Sequence, residues 1–183
     1  MSQDIQWLKV QYFQSGTQYY LAARFLTFAH QIPVSGNLFH HAIEMYLKGH
    51  LCLTWSETNM KNLLKHKLVR IWEEFKKDVP DRSLTKFDKT IAGLHRFENI
   101  RYPEEVFKKG MHAVISFEKP PPQPPSSPRR KEPKYEVIIS DVDELVAVIF
   151  EKANANPSIY TGHLPDEARA YLTSSNKVNI WEK

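Results

Sequence analysis

His41-Ala42-Ile43-Glu44-Met45-Tyr46-Leu47-Lys48 is the stretch that decides the fold. Residues three and four apart are neighbours on a helix, so His41, Glu44 and Lys48 would share one face, with His40 and Ile43 off to one side. An exposed helix would surround such groups with charge. Here Leu38, Phe39, Ala42, Ile43, Met45, Tyr46 and Leu47 crowd them. Polar groups in an apolar setting need partners, because leaving them unpaired is costly. The run predicts a helix inside a helical protein, carrying a polar trio.

Periodicity on either side extends the same pattern. Residues 5 to 30 predict a long first helix, with Leu8, Tyr12, Ser15, Tyr19, Ala22, Leu26 and Ala29 at steps of three and four. Gly16 is a weak point within it. Pro33 and Gly36 break the pattern, and Asn37 is placed to cap the second helix. Its stripe is Leu38, Ala42, Met45, Gly49 and Leu53. Leu64, Leu68, Ile71 and Phe75 predict a third helix over 58 to 77. Ser83 can cap a fourth, with the stripe Leu84, Phe87, Ile91 and Leu94. Pro103 disfavours helix at Tyr102 and is expected to close it. Ser140, Asp141 and Asp143 open a fifth helix through about Lys152, with Val142, Leu145, Val146 and Ile149 inward. A short helix is expected after Pro165.

Between the fourth and fifth helices the period changes to two. His112 to Phe117 and Tyr135 to Ile139 read as strands. Seven of the chain's twelve prolines fall in residues 119 to 134, so that segment predicts a mobile, polyproline-prone loop. The expectation is an all-α, up-and-down bundle of about five helices over residues 1–155. A β-hairpin insertion at 111–140 carries the Pro-rich tip, and 156–183 form a C-terminal extension with a short helix.

Composition bounds function more than it reveals it. A chain of 183 residues can bury enough surface to need no disulfide or metal staple. Its single cysteine, Cys52, cannot form an intrachain disulfide, which fits a reducing, cytoplasmic setting. The N-terminus shows no basic region followed by an apolar run, and no stretch is apolar for long enough to span a membrane. The net charge of +4 resides entirely in residues 119 to 134, which hold five basic residues and one acidic one. The rest of the chain balances, so overall charge argues little for a nucleic-acid-binding face. Arg129-Arg130-Lys131 beside the prolines offers phosphate contacts or a basic proline-rich ligand, or is a solvated loop.

His41-Ala42-x-Glu44-x-x-Leu47-Lys48, then Lys65-His66-Lys67-Leu68, then Arg101-Tyr102-Pro103 form an ordered series. In order, spacing and helical placement the series resembles the HEPN domain (higher eukaryotes and prokaryotes nucleotide-binding). The resemblance covers roughly residues 7 to 103 and the helix near 141 to 152. It implies an α-helical bundle, commonly a homodimer, and often a partner of a minimal nucleotidyltransferase in toxin–antitoxin pairs. Some members are metal-independent ribonucleases using an Arg-x4–6-His motif from a late helix. Others bind nucleotide or RNA without cleaving it.

This chain departs from the ribonuclease form. Arg24 to His30 fits the spacing but lies in the first helix. Near the later position, Arg96-Phe97-Glu98-Asn99-Ile100-Arg101 places Arg101 where the histidine would stand. Arginine is always protonated and cannot alternate as acid and base near neutral pH, although it can bind phosphate in a bidentate way. The expectation is a non-cleaving nucleotide- or RNA-binding protein with candidate residues His41, Glu44, Lys48, His66, Arg101 and Tyr102. The alternatives are an active HEPN ribonuclease that recruits His30, His41 or His66, and a structural protein with a buried polar network. No cofactor is expected. No tight metal-ligand spacing appears, and adjacent His40 and His41 diverge by about 100° on a helix, so no metal is expected either. There is no Gly-rich phosphate loop.

Overall fold

The computed structural model describes residues 3–55, 67–109, 113–119 and 135–182. The protein is mainly α-helical, with one small two-stranded sheet. In chain order come α1 (Gln3–Phe28), α2 (Ile32–Leu51), α3 (Leu68–Asp78), a 3-10 turn (Arg82–Phe87) and α4 (Asp88–Phe97). A 3-10 turn (Glu98–Ile100), α5 (Pro103–Lys109), β1 (Ala113–Ser116), β2 (Tyr135–Ile138) and α6 (Ile139–Lys152) follow. The short helices α7 (Ser158–Thr161) and α8 (Asp166–Thr173) and a last 3-10 turn (Ile180–Glu182) complete it.

α1 and α2 form an antiparallel pair around which the rest is built. The chain reverses in three residues, where His30 adopts φ 56°, the left-handed conformation that often ends a helix. The pair closes tightly because α1 is bare at Gly16. A Cβ there would lie 2.6 Å from the Tyr46 ring of α2. The weak point of the first helix is thus the seat of an aromatic side chain. Phe13 packs edge-on to Phe150 at 4.9 Å, joining α1 to α6. The C-terminal segment returns to the same core, where Tyr160, Leu172 and Trp181 are buried.

Several boundaries differ from expectation for identifiable reasons. α2 begins at Ile32, not after Asn37. Pro33 occupies its first turn, where the missing N–H is no loss, and the Asn37 side chain donates back to the Pro33 carbonyl at 3.0 Å. Asp81, not Ser83, caps the fourth helical segment, accepting the Ser83 N–H at 2.9 Å. Pro103 opens α5 instead of simply closing a helix. The buried stripe of α1 is Phe13, Gly16, Thr17, Tyr20, Ala23, Arg24 and Thr27, displaced by about one residue from the expected one. Hydropathy misreads it because Thr17 and Thr27 bond to carbonyls one turn back, both at 2.9 Å, and so are buried without cost.

The strands pair in parallel, Ala113 with Tyr135 through Ser116 with Ile138, so the expected β-hairpin is not formed. A parallel return needs a connection of about a dozen residues or more, and the long segment between the strands supplies it. Residues 120–134, which carry the expected Pro-rich tip and its basic run, lie outside the described residues. So do His112 and the first part of the expected third helix, with His66. Among the described residues, no helix is long and apolar enough to cross a membrane.

Candidate functional site

The polar residues of α2 sit against the end of α4 and the turn that follows it. Glu44 is fully buried. Its Oε1 accepts from Lys48 Nζ at 2.5 Å, one turn along the same helix. Its Oε2 lies 3.6 Å from His40 Nε2 and 3.7 Å from His41 Nδ1, one turn back. Three cationic or donor-capable groups therefore surround one carboxylate, as the i,i+3 and i,i+4 spacings require. Burial by itself would raise the Glu44 carboxyl. The His40, His41 and Lys48 nitrogens outweigh it and hold the group far below the usual carboxylate range.

α4 supplies the opposite wall. His40, also fully buried, has its Nδ1 3.3 Å from the carbonyl oxygen of Leu94. The His95 ring stacks on the His40 ring at 5.9 Å. Burial lowers the His95 pKa, and the neighbouring His40 ring, beside which a second cation is disfavoured, lowers it further. Glu98 Oε2 lies 3.9 Å from His40 Nε2, and Glu98 Oε1 lies 3.4 Å from Arg101 Nη1. The Arg101 guanidinium stands 5.6 Å from the Tyr102 ring centre, and both side chains are exposed, Tyr102 at 59%. Tyr19 of α1 approaches the His41 ring at 5.7 Å.

A chain of contacts thus runs from Lys48 through Glu44, His40 and Glu98 to Arg101. Five of the six candidate residues, His41, Glu44, Lys48, Arg101 and Tyr102, fall in one region. His66 lies outside the described residues. His40, His95 and Glu98 are in the cluster and were not among the candidates. His40 carried a signal, its i,i+4 spacing to Glu44, but its position off the His41 face hid it. The His40 and His41 rings meet edge to face, 5.3 Å apart at an interplanar angle of 83°. Different ring nitrogens, Nε2 and Nδ1, nevertheless converge on Glu44.

The Arg24–His30 match has no such neighbourhood. Arg24 is buried and its guanidinium is engaged by Asp143 and two backbone carbonyls, whereas His30 is exposed beyond the end of α1. Arg24 is unavailable to a substrate. A separate cleft of about 490 Å³ between α4 and β2 is lined by Lys86, Lys89, Arg96 and Lys119. Lys86, Lys89 and Lys119 face Glu144, Glu136 and Asp141, so little of that positive charge is free for an anion. No family model, no curated protein and no solved structure matches the chain.

Proposed function

We propose that this is a HEPN-like nucleotide- or RNA-binding protein that does not cleave its ligand. One observation carries the reading: Glu98 couples the exposed Arg101 guanidinium to the buried His40–Glu44–Lys48 cluster. A guanidinium held in place loses less freedom on binding, and its fork matches the oxygens of a phosphate. The exposed Tyr102 ring beside it is a surface on which a base can stack. His41 and Lys48, each partly exposed, supply further positive or donor groups along the same edge.

The non-cleaving reading is supported by Arg101, which stands where the ribonuclease form has its late-helix histidine. A guanidinium neither takes nor gives a proton at neutral pH. A homodimer and a nucleotidyltransferase-type partner belong to the same reading. Trp7 and Phe107, 64% and 92% exposed, are apolar side chains that such contacts would cover.

The test is fluorescence-anisotropy titration with nucleotides and short RNAs, beside incubation with total RNA in EDTA, for wild type, Arg101→Ala and His41→Ala. The reading expects saturable binding that weakens in Arg101→Ala, with the RNA left intact. Cleavage lost in a variant would instead support a ribonuclease. No binding and no rise in melting temperature with ligand would leave a structural role, because a ligand selective for the folded state must stabilise it.

A further inference from the structure

We propose that His40, His41 and Glu44 form a binding site for one divalent first-row transition-metal ion of the Zn2+ type. This goes beyond phosphate binding and does not rest on it.

The His40 ring gives the first reason. A backbone carbonyl only accepts, so the Nδ1 that faces Leu94 O must carry the hydrogen. In the neutral ring Nε2 is then a bare lone pair. It is wholly buried and lacks a hydrogen-bond partner. It faces Glu44 Oε2 at 3.6 Å and Glu98 Oε2 at 3.9 Å, and carboxylate oxygens are also acceptors. Glu98 Oε2 is likewise buried without a hydrogen bond. A buried nitrogen lone pair that faces carboxylate oxygens is repelled by them unless positive charge lies between.

The spacing suits a metal ion better than a proton. A proton on Nε2 would need an oxygen near 3 Å, and neither is so close. Metal–ligand bonds of about 2.1 Å in a tetrahedral site put the donors roughly 3.4 Å apart. The distances from Glu44 Oε2 to His40 Nε2 and His41 Nδ1, 3.6 and 3.7 Å, exceed that by a few tenths of an ångström, within reach of small side-chain rotations. The donor atoms of His40, His41 and Glu44 all lie within 4.8 Å of one another.

Two of the three ligands also have their far atom secured: Leu94 O holds His40 Nδ1 and Lys48 Nζ holds Glu44 Oε1. Such outer partners orient the ligands of metal sites and raise their basicity. Glu98 Oε2, 3.9 Å from His40 Nε2, adds negative charge beside the site. The His41 and Glu98 side chains are 18% and 27% exposed, which leaves a route for the ion and a coordination position for water. Two imidazoles with one carboxylate favour zinc, cobalt, nickel or iron(II) over the all-oxygen preference of magnesium and calcium.

The test titrates the tag-free full chain with ZnCl2 by calorimetry and with CoCl2 by visible absorption, with no nucleotide present. We expect one Zn2+ per chain, a visible Co2+ spectrum, a melting temperature raised by Zn2+ and restored by EDTA, and no response to MgCl2. Glu98→Gln and His41→Ala, both at partly exposed positions, should each weaken Zn2+ binding at least roughly tenfold while circular dichroism shows native helix content. His40→Ala should abolish it; if that variant does not fold, the other two decide. No Zn2+ binding by wild type, or binding undiminished in both variants, overturns the proposal. Because the ion is added alone, the outcome is independent of whether the protein binds nucleotide.

Discussion

Arg24 Nη1 lies 2.6 Å from Asp143 Oδ1, and neither side chain has any solvent exposure. The pair joins α1 to α6. Tyr20 donates its hydroxyl to the same carboxylate oxygen, one turn before Arg24. Arg24 Nε donates to the Tyr171 carbonyl at 2.5 Å and Nη2 to that of Ser174. A single guanidinium thereby ties the first helix, the last core helix and the C-terminal segment together. Removing only the acid would strand a buried charge. Asp143→Ala is expected to cost about 3–5 kcal/mol in urea unfolding. Replacing both partners with apolar residues, Arg24→Met with Asp143→Leu, should recover most of that loss. A cost below about 1 kcal/mol for Asp143→Ala would contradict a buried ionic junction.

Gly36 makes a sharper test of the packing. A Cβ at this position would lie 2.1 Å from Phe97 Cδ1, closer than any real contact allows. In an exposed helix interior, Gly→Ala stabilises by about 1 kcal/mol. Here the sign should reverse, with Gly36→Ala destabilising by roughly 1–3 kcal/mol through displacement of the Phe97 ring. Pairing it with Phe97→Leu should relieve part of the loss. Thermal unfolding of the single and double variants checks both statements.

Asp81 gives a pH dependence. Its carboxylate accepts from Ser83 and lies 3.1 Å from Lys152 Nζ, which together bring its pKa down from 3.8 to about 2. A carboxylate lowered on folding contributes stability that is complete above its unfolded pKa and disappears as pH falls through its folded one. The difference in stability between wild type and Asp81→Asn should therefore be constant above about pH 5 and shrink between pH 4 and pH 2. Denaturant curves at closely spaced pH values would reveal the window. A difference that persists unchanged at pH 2 would rule out the charge as its source.

Arg101 should separate binding from folding. Its side chain is 43% exposed and its ion pair with Glu98 is long, at 3.4 Å. Exposed pairs contribute little to stability, so Arg101→Ala should shift unfolding by no more than about 0.5 kcal/mol. The same change should weaken nucleotide or RNA binding about tenfold, the effect of one charge-assisted phosphate contact. Loss of stability on that scale without loss of binding would make Arg101 a helix-end contact only.

Much of the helical layout is legible in periodicity. Leu84, Phe87, Ile91 and Leu94 are all buried as their spacing implies, as are Val142, Leu145, Val146 and Ile149. Those faces are read correctly because their burial is driven by apolar area, which hydropathy measures. α1 is misread where burial rests on hydrogen bonds. Arg24, Thr17 and Thr27 look like solvent-facing residues, and only their partners make the interior tolerable for them. The strands are visible as strands, yet their direction is not, because alternation of side chains is the same in parallel and antiparallel pairs.

The site divides along the same line. That His41, Glu44 and Lys48 share a helix face follows from their spacing, which is a property of the helix alone. The apolar residues around them imply an interior setting for that helix. The meeting of His40 with Glu98 and the Leu94 carbonyl, more than fifty residues away, and the full burial of Glu44 arise from packing instead. The difference is one of range. Local spacing follows from backbone geometry, whereas the partners that satisfy a buried lone pair are chosen by how two helices pack, and no short window of sequence contains both.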